Sequence, residues 1–327
     1  MRAAAATRPG WSGARVGCAV RRVGGPMTDI RQFSGSAAID PLANSSPGCY
    51  RDEAVVVMHE GRATPPEEKA ITRTSHFSLH RNRDQVLVSH RIAPQELDND
   101  VAGKLADELF APGWLSGAEI FERVFTGVVR STVDDAISAW STFYRNTLGR
   151  IRNFHDVPDS SISAMVPVYS RVLTLVPPGR VLDVGSCFGF LALLLAERPG
   201  TRVVASDIAN GTVTLLRAIA PELGLPLGTL ICDGARVPLP DQAVDTVTVI
   251  HLLEHLERDH GEAVLAEAIR LARRRVVVAV PFEEEPTAAY GHVRTFDMAE
   301  LHRLGFGTGQ PYEVCEHHGG WLVVDCS

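Results

Sequence analysis

The sequence predicts an α/β fold built on a mainly parallel sheet, and three observations carry that prediction. From about residue 162 onward, short apolar runs alternate with helical segments, as βαβ units do. The run Arg180-Val181-Leu182-Asp183-Val184 enters a small-residue turn, Gly185-Ser186-Cys187-Phe188-Gly189, and an apolar segment begins at once with Phe190. Polar residues recur where successive runs end, at Asp183, Asp207, Asp233 and His251. The C-terminal ends of parallel strands are where open α/β sheets bind ligands.

The elements follow in chain order. To about Thr72 the chain is rich in Ala, Arg, Gly, Ser and Pro, and its apolar residues keep no period, so residues 1–72 are expected to form a disordered leader. Arg2, Arg8, Arg15, Arg21 and Arg22 precede any acid, which superficially suggests a transit peptide. Neither an amphipathic helix nor an apolar core accompanies them, and an over-extended start with Met27 or Met58 as the true beginning fits better. Residues 73–161 are expected to form a small α+β module. His76–His80 and Gln85–His90 alternate across the polar Arg81–Asp84, which predicts a β-hairpin. Pro94–Phe110 has helical spacing, with Leu97, Val101, Leu105 and Leu109 on one face. Helices are also predicted over Gly117–Ser131 and Val133–Ile151, with Asp134 and Asp135 in the first turn of the second, where carboxylates suit the helix dipole. Trp114, Phe121, Phe125, Trp140, Phe143 and Tyr144 read as core rather than as a platform for a sugar. The module either caps a pocket or forms a dimer surface.

Residues 162–327 carry the main sheet. Strands are predicted at Val181–Val184, Arg202–Ser206, Thr229–Cys232, Val244–Ile250 and Arg275–Val280, with helices at Thr212–Leu223 and Gly261–Arg273. Tyr312–Cys315 and Trp321–Asp325 flank His317-His318-Gly319-Gly320 with no room for a helix, so an antiparallel hairpin should close the sheet.

Composition removes whole classes of function. The chain has 327 residues, 45% of them apolar, and a net charge of −7. No apolar run approaches the ~20 residues of a membrane span. No basic stripe interleaved with aromatics points to nucleic acid. The six cysteines show no CxxC pair and no zinc spacing, which fits a reducing, cytoplasmic setting.

The turn after the first main strand is chemically specific. Asp183 stands two places before Gly185, and a carboxylate there repels the phosphates that a glycine-rich loop and helix N-terminus would otherwise cradle. A cofactor with a cationic amino-acid end accepts it. Asp207 can take hydrogen bonds from both ribose hydroxyls, and Asp233 can hold an adenine amino group. A dinucleotide-binding oxidoreductase is the rival, because it also uses an acid about 20 residues after the turn. Its GxGxxG is absent, since Cys187 and Phe190 occupy the second and third glycine positions.

In order and combination, Asp183–Gly189, Ser206-Asp207, Cys232-Asp233-Gly234 and Asp245–His255 resemble the successive motifs of class I S-adenosylmethionine-dependent methyltransferases. The resemblance implies a Rossmann-like seven-stranded sheet with an antiparallel C-terminal hairpin. It implies S-adenosylmethionine as cofactor, with contacts from Asp183, Gly185, Ser186, Cys187, Gly189, Asp207, Ile208, Asp233, Gly234 and His251. Family members often carry glycine where this chain has Cys187, which puts close backbone approach in doubt at that position.

Methyl transfer to a sugar or alcohol hydroxyl needs a base or a metal, because the neutral oxygen is a poor nucleophile. His251, Glu254 and His255 follow the fourth main strand, and His292 with Arg294 follows the fifth. Three readings of this group stand side by side. His292 or His255, with Glu254, takes the hydroxyl proton. Alternatively His251, Glu254, His255 and His292 hold a divalent metal, a partial match to the Glu-x-x-Glu-His plus distant His of some class I methyltransferases. In the third, Leu253-Glu254-His255 simply starts a helix. His317-His318 and Glu283-Glu284-Glu285 read as solvated loops, and His59, His76, His80 and His90 show no evident carboxylate partner.

Leu105–Trp114, Phe121–Val129 and Ala139–Thr147 are similar to the mycofactocin oligosaccharide methyltransferases of actinobacteria. That resemblance implies O-methylation of a glucose in an oligosaccharide attached to a peptide-derived redox cofactor. The expected function is therefore an O-methyltransferase acting on a glycosylated small molecule, with the oligosaccharide acceptor as partner and neither nucleic acid nor membrane. The alternatives are methylation of another small molecule, or a non-catalytic cofactor-binding module that engages a partner through its N-terminal helices.

Overall fold

The computed structural model describes residues 39–64, 69–80, 82, 85–153, 160–287 and 291–326. The N-terminal part is a five-stranded sheet of β1 (Cys49–Arg51), β2 (Val55–His59), β3 (Ala70–Arg73), β4 (Phe77–His80) and β5 (Val86–His90), in the order β1-β2-β5-β4-β3. β4 and β5 form the antiparallel hairpin, pairing Phe77 with His90 and His80 with Leu87. β2 pairs in parallel with β5, so this sheet is more than a hairpin.

The expected disordered leader is thereby corrected. β1, β2 and the first residues of β3 fall inside residues 1–72, while residues 1–38 lie outside the described residues. The reason is burial on both faces of β2, whose Val55, Val56 and Val57 are all covered, so its run has no alternation to read. Long-range bonds complete the correction. Arg130 donates to the carbonyls of Pro41 and Ala43 at 2.9 and 2.6 Å, and Trp140 Nε1 donates to Pro41 at 2.8 Å.

The helical face of this part also departs from the expected single helix over Pro94–Phe110. A 3-10 turn at Pro94–Glu96 is followed by α1 (Asp100–Leu105), which passes into a π turn at Ala106–Phe110. The break at Leu97 leaves the helical register, yet Leu97, Val101, Leu105 and Leu109 all remain buried. α2 (Ala118–Thr132) packs on β2, and α3 (Ala136–Arg152) packs on α2. Asp135 is the N-cap of α3 rather than a first-turn residue, accepting the Ser138 N–H at 2.7 Å. Phe125, Trp140, Phe143 and Tyr144 are core, whereas Trp114 is exposed. His76, expected to lack a carboxylate partner, bonds Glu108 through its backbone N–H and its ring Nδ1.

The second sheet has the order β11-β12-β10-β9-β6-β7-β8. Its strands are β6 (Arg180–Val184), β7 (Arg202–Asp207), β8 (Gly228–Ile231), β9 (Val244–Ile250), β10 (Ala272–Val280), β11 (Tyr312–Glu316) and β12 (Gly320–Asp325). β6 to β10 pair in parallel, and β12 lies antiparallel to both β10 and β11. The helices are α4 (Ser161–Leu175), α5 (Phe190–Ala196), α6 (Asn210–Glu222), α7 (Arg258–Leu271) and α8 (Met298–Gly307). Strand order reverses between β6 and β9, which opens a crevice at their C-terminal ends.

The expected boundary near residue 161 does not divide the core. All described residues belong to one compact unit, and one hydrophobic cluster joins Val57 and Val88 of the first sheet to Val181 and Val277 of the second. Tyr144 of α3 reaches across to donate to the Phe188 carbonyl at 2.8 Å, so the N-terminal helices pack directly behind the turn that follows β6.

Candidate functional site

The site begins with the turn between β6 and α5. Val181, Leu182 and Val184 are buried core, and their strand carries Asp183 inward with them, leaving its residue 3% exposed. Burial pushes its carboxyl up to about 7, the Asp207 carboxylate adds to this, and a 2.6 Å bond from Thr248 Oγ1 opposes it. Gly185 and Gly189 both have positive φ, and a Cβ at Gly189 would collide with the Leu216 side chain. Cys187, the irregular position, also sits in the left-handed region at φ 49°. That conformation costs a side-chain-bearing residue roughly 1 kcal/mol. The Cys187 N–H donates to Asp207 Oδ2 at 2.8 Å, and the Ala209 N–H donates to Oδ1 at 2.9 Å. The acid at the end of β7 thus clamps the turn as well as facing the crevice.

Other sequence-selected residues flank this turn. Ser186 donates its N–H to the Ser206 carbonyl at 2.9 Å. Ile208 is 72% exposed, an apolar side chain beside Asp207 that can cover one face of a flat ring. Gly234 lies against Val184, where a Cβ would come within 2.7 Å of its side chain. Asp233 accepts the Ala235 N–H at 2.9 Å and faces His260 Nε2 at 2.8 Å. Two residues escaped the sequence reading. His260 lies in the first turn of α7, just beyond the Asp245–His255 motif and outside it. Tyr169 of α4 feels both Asp183 and Cys187, and burial above all raises its phenol well beyond the ordinary value.

A second group gathers where β9 and β10 end. His251 follows Ile250 with φ 51°, held by its N–H to the Ala279 carbonyl at 2.9 Å. Burial, then the His292 and His255 charges, bring its imidazole down to about 4, and its Nε2 is buried without a hydrogen-bond partner. Glu254 sits in the 3-10 turn Leu253–His255 and is 1% exposed. Neither of its carboxylate oxygens is hydrogen-bonded, and burial pushes the group up to about 8. His251 Nδ1 comes to 3.4 Å from Glu254 Oε1 without hydrogen-bond alignment.

His255 is exposed, with Nδ1 3.3 Å from the Gly291 carbonyl. Its ring meets that of His292 edge-on, with centroids 4.8 Å apart. His292 is nearly covered, and its Nδ1 lies 2.8 Å from Glu283 Oε2. Thr287 Oγ1 donates to the other Glu283 oxygen at 2.8 Å. Burial would raise the Glu283 carboxyl, but the bonds from His292 and Thr287 outweigh it and hold the group below its usual range.

This arrangement corrects the sequence reading in three places. Glu283 is not simply a solvated loop residue, because it orients His292. Arg294 turns away from the histidines, stacking over Phe296 at 4.3 Å and bonding Glu300 at 2.6 Å. The four-residue metal set contracts: Glu254, His255 and His292 offer ligand atoms all within 4.8 Å of one another, and His251 is not in that trio. Next to Glu283 a groove of about 520 Å³ is lined by Phe282, Glu283, Glu284, Phe296, Asp297 and Met298. Among the described residues no helix is long and apolar enough to cross a membrane.

Comparison with known proteins bears on this edge of the sheet. Residues 181–275, from β6 into β10, match the family described as "Methyltransferase domain". The chain is 36% identical over 131 residues to a demethylmenaquinone methyltransferase of Thermus thermophilus, covering 39% of this chain and 59% of that protein. It is 32% identical over 145 residues to a probable S-adenosylmethionine-dependent methyltransferase of Mycolicibacterium smegmatis, covering 42% of this chain and 54% of that protein. The chain thus spans little more than half the length of these relatives. Among solved structures it is similar to magnesium protoporphyrin IX methyltransferase of Synechocystis with bound S-adenosylmethionine. That match has 17% identity and a TM-score of 0.43, covering 55% of this chain and 90% of the other.

Proposed function

We propose, from the premise that residues 181–275 form a class I S-adenosylmethionine-dependent methyltransferase domain, that this chain methylates a hydroxyl of a glycosylated small molecule. In this reading the cofactor lies along the crevice between β6 and β9. Asp183 receives its cationic amino-acid end, Asp207 its ribose hydroxyls and Asp233 its adenine amino group, while Ile208 covers the ring. Gly185, Ser186, Cys187, Gly189 and Gly234 keep the backbone low beneath it.

The observation that carries the hydroxyl acceptor is the His292–Glu283 pair beside His255 and Glu254. Methyl transfer forms an O–C bond and breaks the S–C bond, with that electron pair remaining on sulfur. The acceptor proton passes to the histidine cluster. Glu283 fixes the His292 ring and compensates the charge it would gain, as the third member of a nucleophile–base–orienter set does. Holding oxygen, methyl carbon and sulfur in line supplies several further kcal/mol.

The sugar assignment is supported by the groove next to Glu283. Its carboxylates can accept hydrogen bonds from hydroxyls, and the half-buried Phe282 offers an apolar surface. Together with the N-terminal resemblance, this makes a glucose of the mycofactocin oligosaccharide the first acceptor to try. Labelled S-adenosylmethionine is incubated with oligoglucosylated mycofactocin and, separately, with demethylmenaquinone. Label on the sugar is expected. Label on the quinone alone removes the sugar reading and leaves a methyltransferase of another acceptor.

A further inference from the structure

We propose that Glu254, His255 and His292 form a binding site for a first-row divalent cation, of the kind that accepts mixed imidazole and carboxylate ligands. The inference rests on the functional reading above for where the acceptor lies and replaces its histidine base, because His292 with Nδ1 on Glu283 and Nε2 on an ion keeps no lone pair for the acceptor proton. Three features of the cluster point to it.

The first is Glu254. It is 1% exposed, and both of its carboxylate oxygens are buried without a hydrogen-bond donor among the described residues. A buried carboxylate left unpaired is costly, so a fold retains one only where it stays neutral or meets a cation. No arginine or lysine among the described residues bonds it, and the 3.4 Å approach of His251 Nδ1 is misaligned for a hydrogen bond.

The second is spacing. The ligand atoms of the three residues lie within 4.8 Å of one another. First-row cations bind nitrogen and oxygen at about 2.0–2.2 Å, which sets donors about 3–4 Å apart. Small side-chain shifts close that difference.

The third is the support behind the ligands. His255 is anchored through Nδ1 on the Gly291 carbonyl, and His292 through Nδ1 on Glu283. A carbonyl or carboxylate behind each imidazole is how proteins orient metal-binding histidines, and coordination through Nε2 keeps both anchors intact. Two imidazoles and one carboxylate suit zinc or manganese better than magnesium or calcium, which prefer all-oxygen sites. An ion held there supplies Lewis acidity to an acceptor hydroxyl.

The test uses untagged full-length protein, stripped with a chelator and dialysed. Zn²⁺ and Mn²⁺ binding is measured by titration calorimetry and by elemental analysis. About one equivalent of at least one of these ions is expected. Glu254→Gln and His255→Ala should each weaken that binding by about 100-fold, and Glu283→Gln by about 10–100-fold. S-adenosylmethionine affinity within about twofold of the parent shows that the variants are folded. The His317→Ala/His318→Ala variant controls for the exposed pair in the terminal hairpin and should bind as the parent does. No stoichiometric binding by the parent overturns the proposal, as does equal binding by the Glu254 and His255 variants. Chelator-insensitive methyl transfer that still needs His292 would remove the metal and keep the histidine base. Stoichiometric metal with no transfer to the sugar would remove only the acceptor.

Discussion

The Asp183→Asn substitution should stabilise the ligand-free protein while weakening its hold on the cofactor. The carboxyl is buried, and its folded value of about 7 stands some three units above the ordinary 3.8. An acid whose folded value is raised keeps its proton more tightly in the native state. Its stabilising contribution is complete below 3.8 and is lost as pH rises toward 7. At about 1.4 kcal/mol per unit, ionising Asp183 costs the empty fold roughly 4 kcal/mol by pH 8. A carboxamide at this position cannot ionise, and its oxygen can still accept the Thr248 hydroxyl. The stability difference between variant and parent should therefore widen by about 2 kcal/mol between pH 5.5 and 7 and then level off. Denaturant unfolding at a series of pH values reads this directly. A cationic cofactor end should reverse the sign, so saturating S-adenosylmethionine should stabilise the parent far more than the variant. A pH-independent difference, or equal stabilisation of both proteins by the cofactor, would refute the argument.

The other predictions concern the base, the turn and the N-terminal sheet. His292→Ala should lower kcat by about 10²–10⁴ with S-adenosylmethionine affinity unchanged, and Glu283→Gln should lower it less. Steady-state kinetics with a cofactor titration separates the two effects. Gly189→Ala combines a left-handed backbone with a Cβ driven into Leu216, so a loss of about 2–4 kcal/mol is expected in denaturant unfolding. Arg123→Ala removes a buried guanidinium bonded to Asp52 at 2.7 Å and to Glu119 at 3.0 Å. Asp52 keeps the Ala54 and Val55 N–H bonds but loses its buried cation, so a cost of about 1.5–3 kcal/mol is expected, and near-parent stability by calorimetry would refute it.

Local chemistry made the cofactor edge legible. Asp183, the small turn and Asp207 are neighbours in sequence order, and strand–turn–helix alternation alone puts them at one end of a parallel sheet. The terminal hairpin was legible for a similar reason, because His317–Gly320 leaves no length for a crossover. The long helix expected over Pro94–Phe110 kept its buried face but not its continuity, since periodicity reports which side is covered and not whether the backbone stays regular.

By itself the sequence determined the parallel sheet and the acids at its strand ends, because a strand's period and a turn's composition depend on near neighbours. Tertiary structure alone decided the rest. It paired β1 and β2 into a sheet with β5 and tied Pro41 and Ala43 to Arg130 and Trp140, partners far along the chain. It set Glu283 behind His292, turned Arg294 away, and left the Glu254 carboxylate buried without a hydrogen-bond partner among the described residues. Those outcomes depend on which loops meet over the ends of β9 and β10, and no local pattern encodes a meeting between segments that only folding brings together.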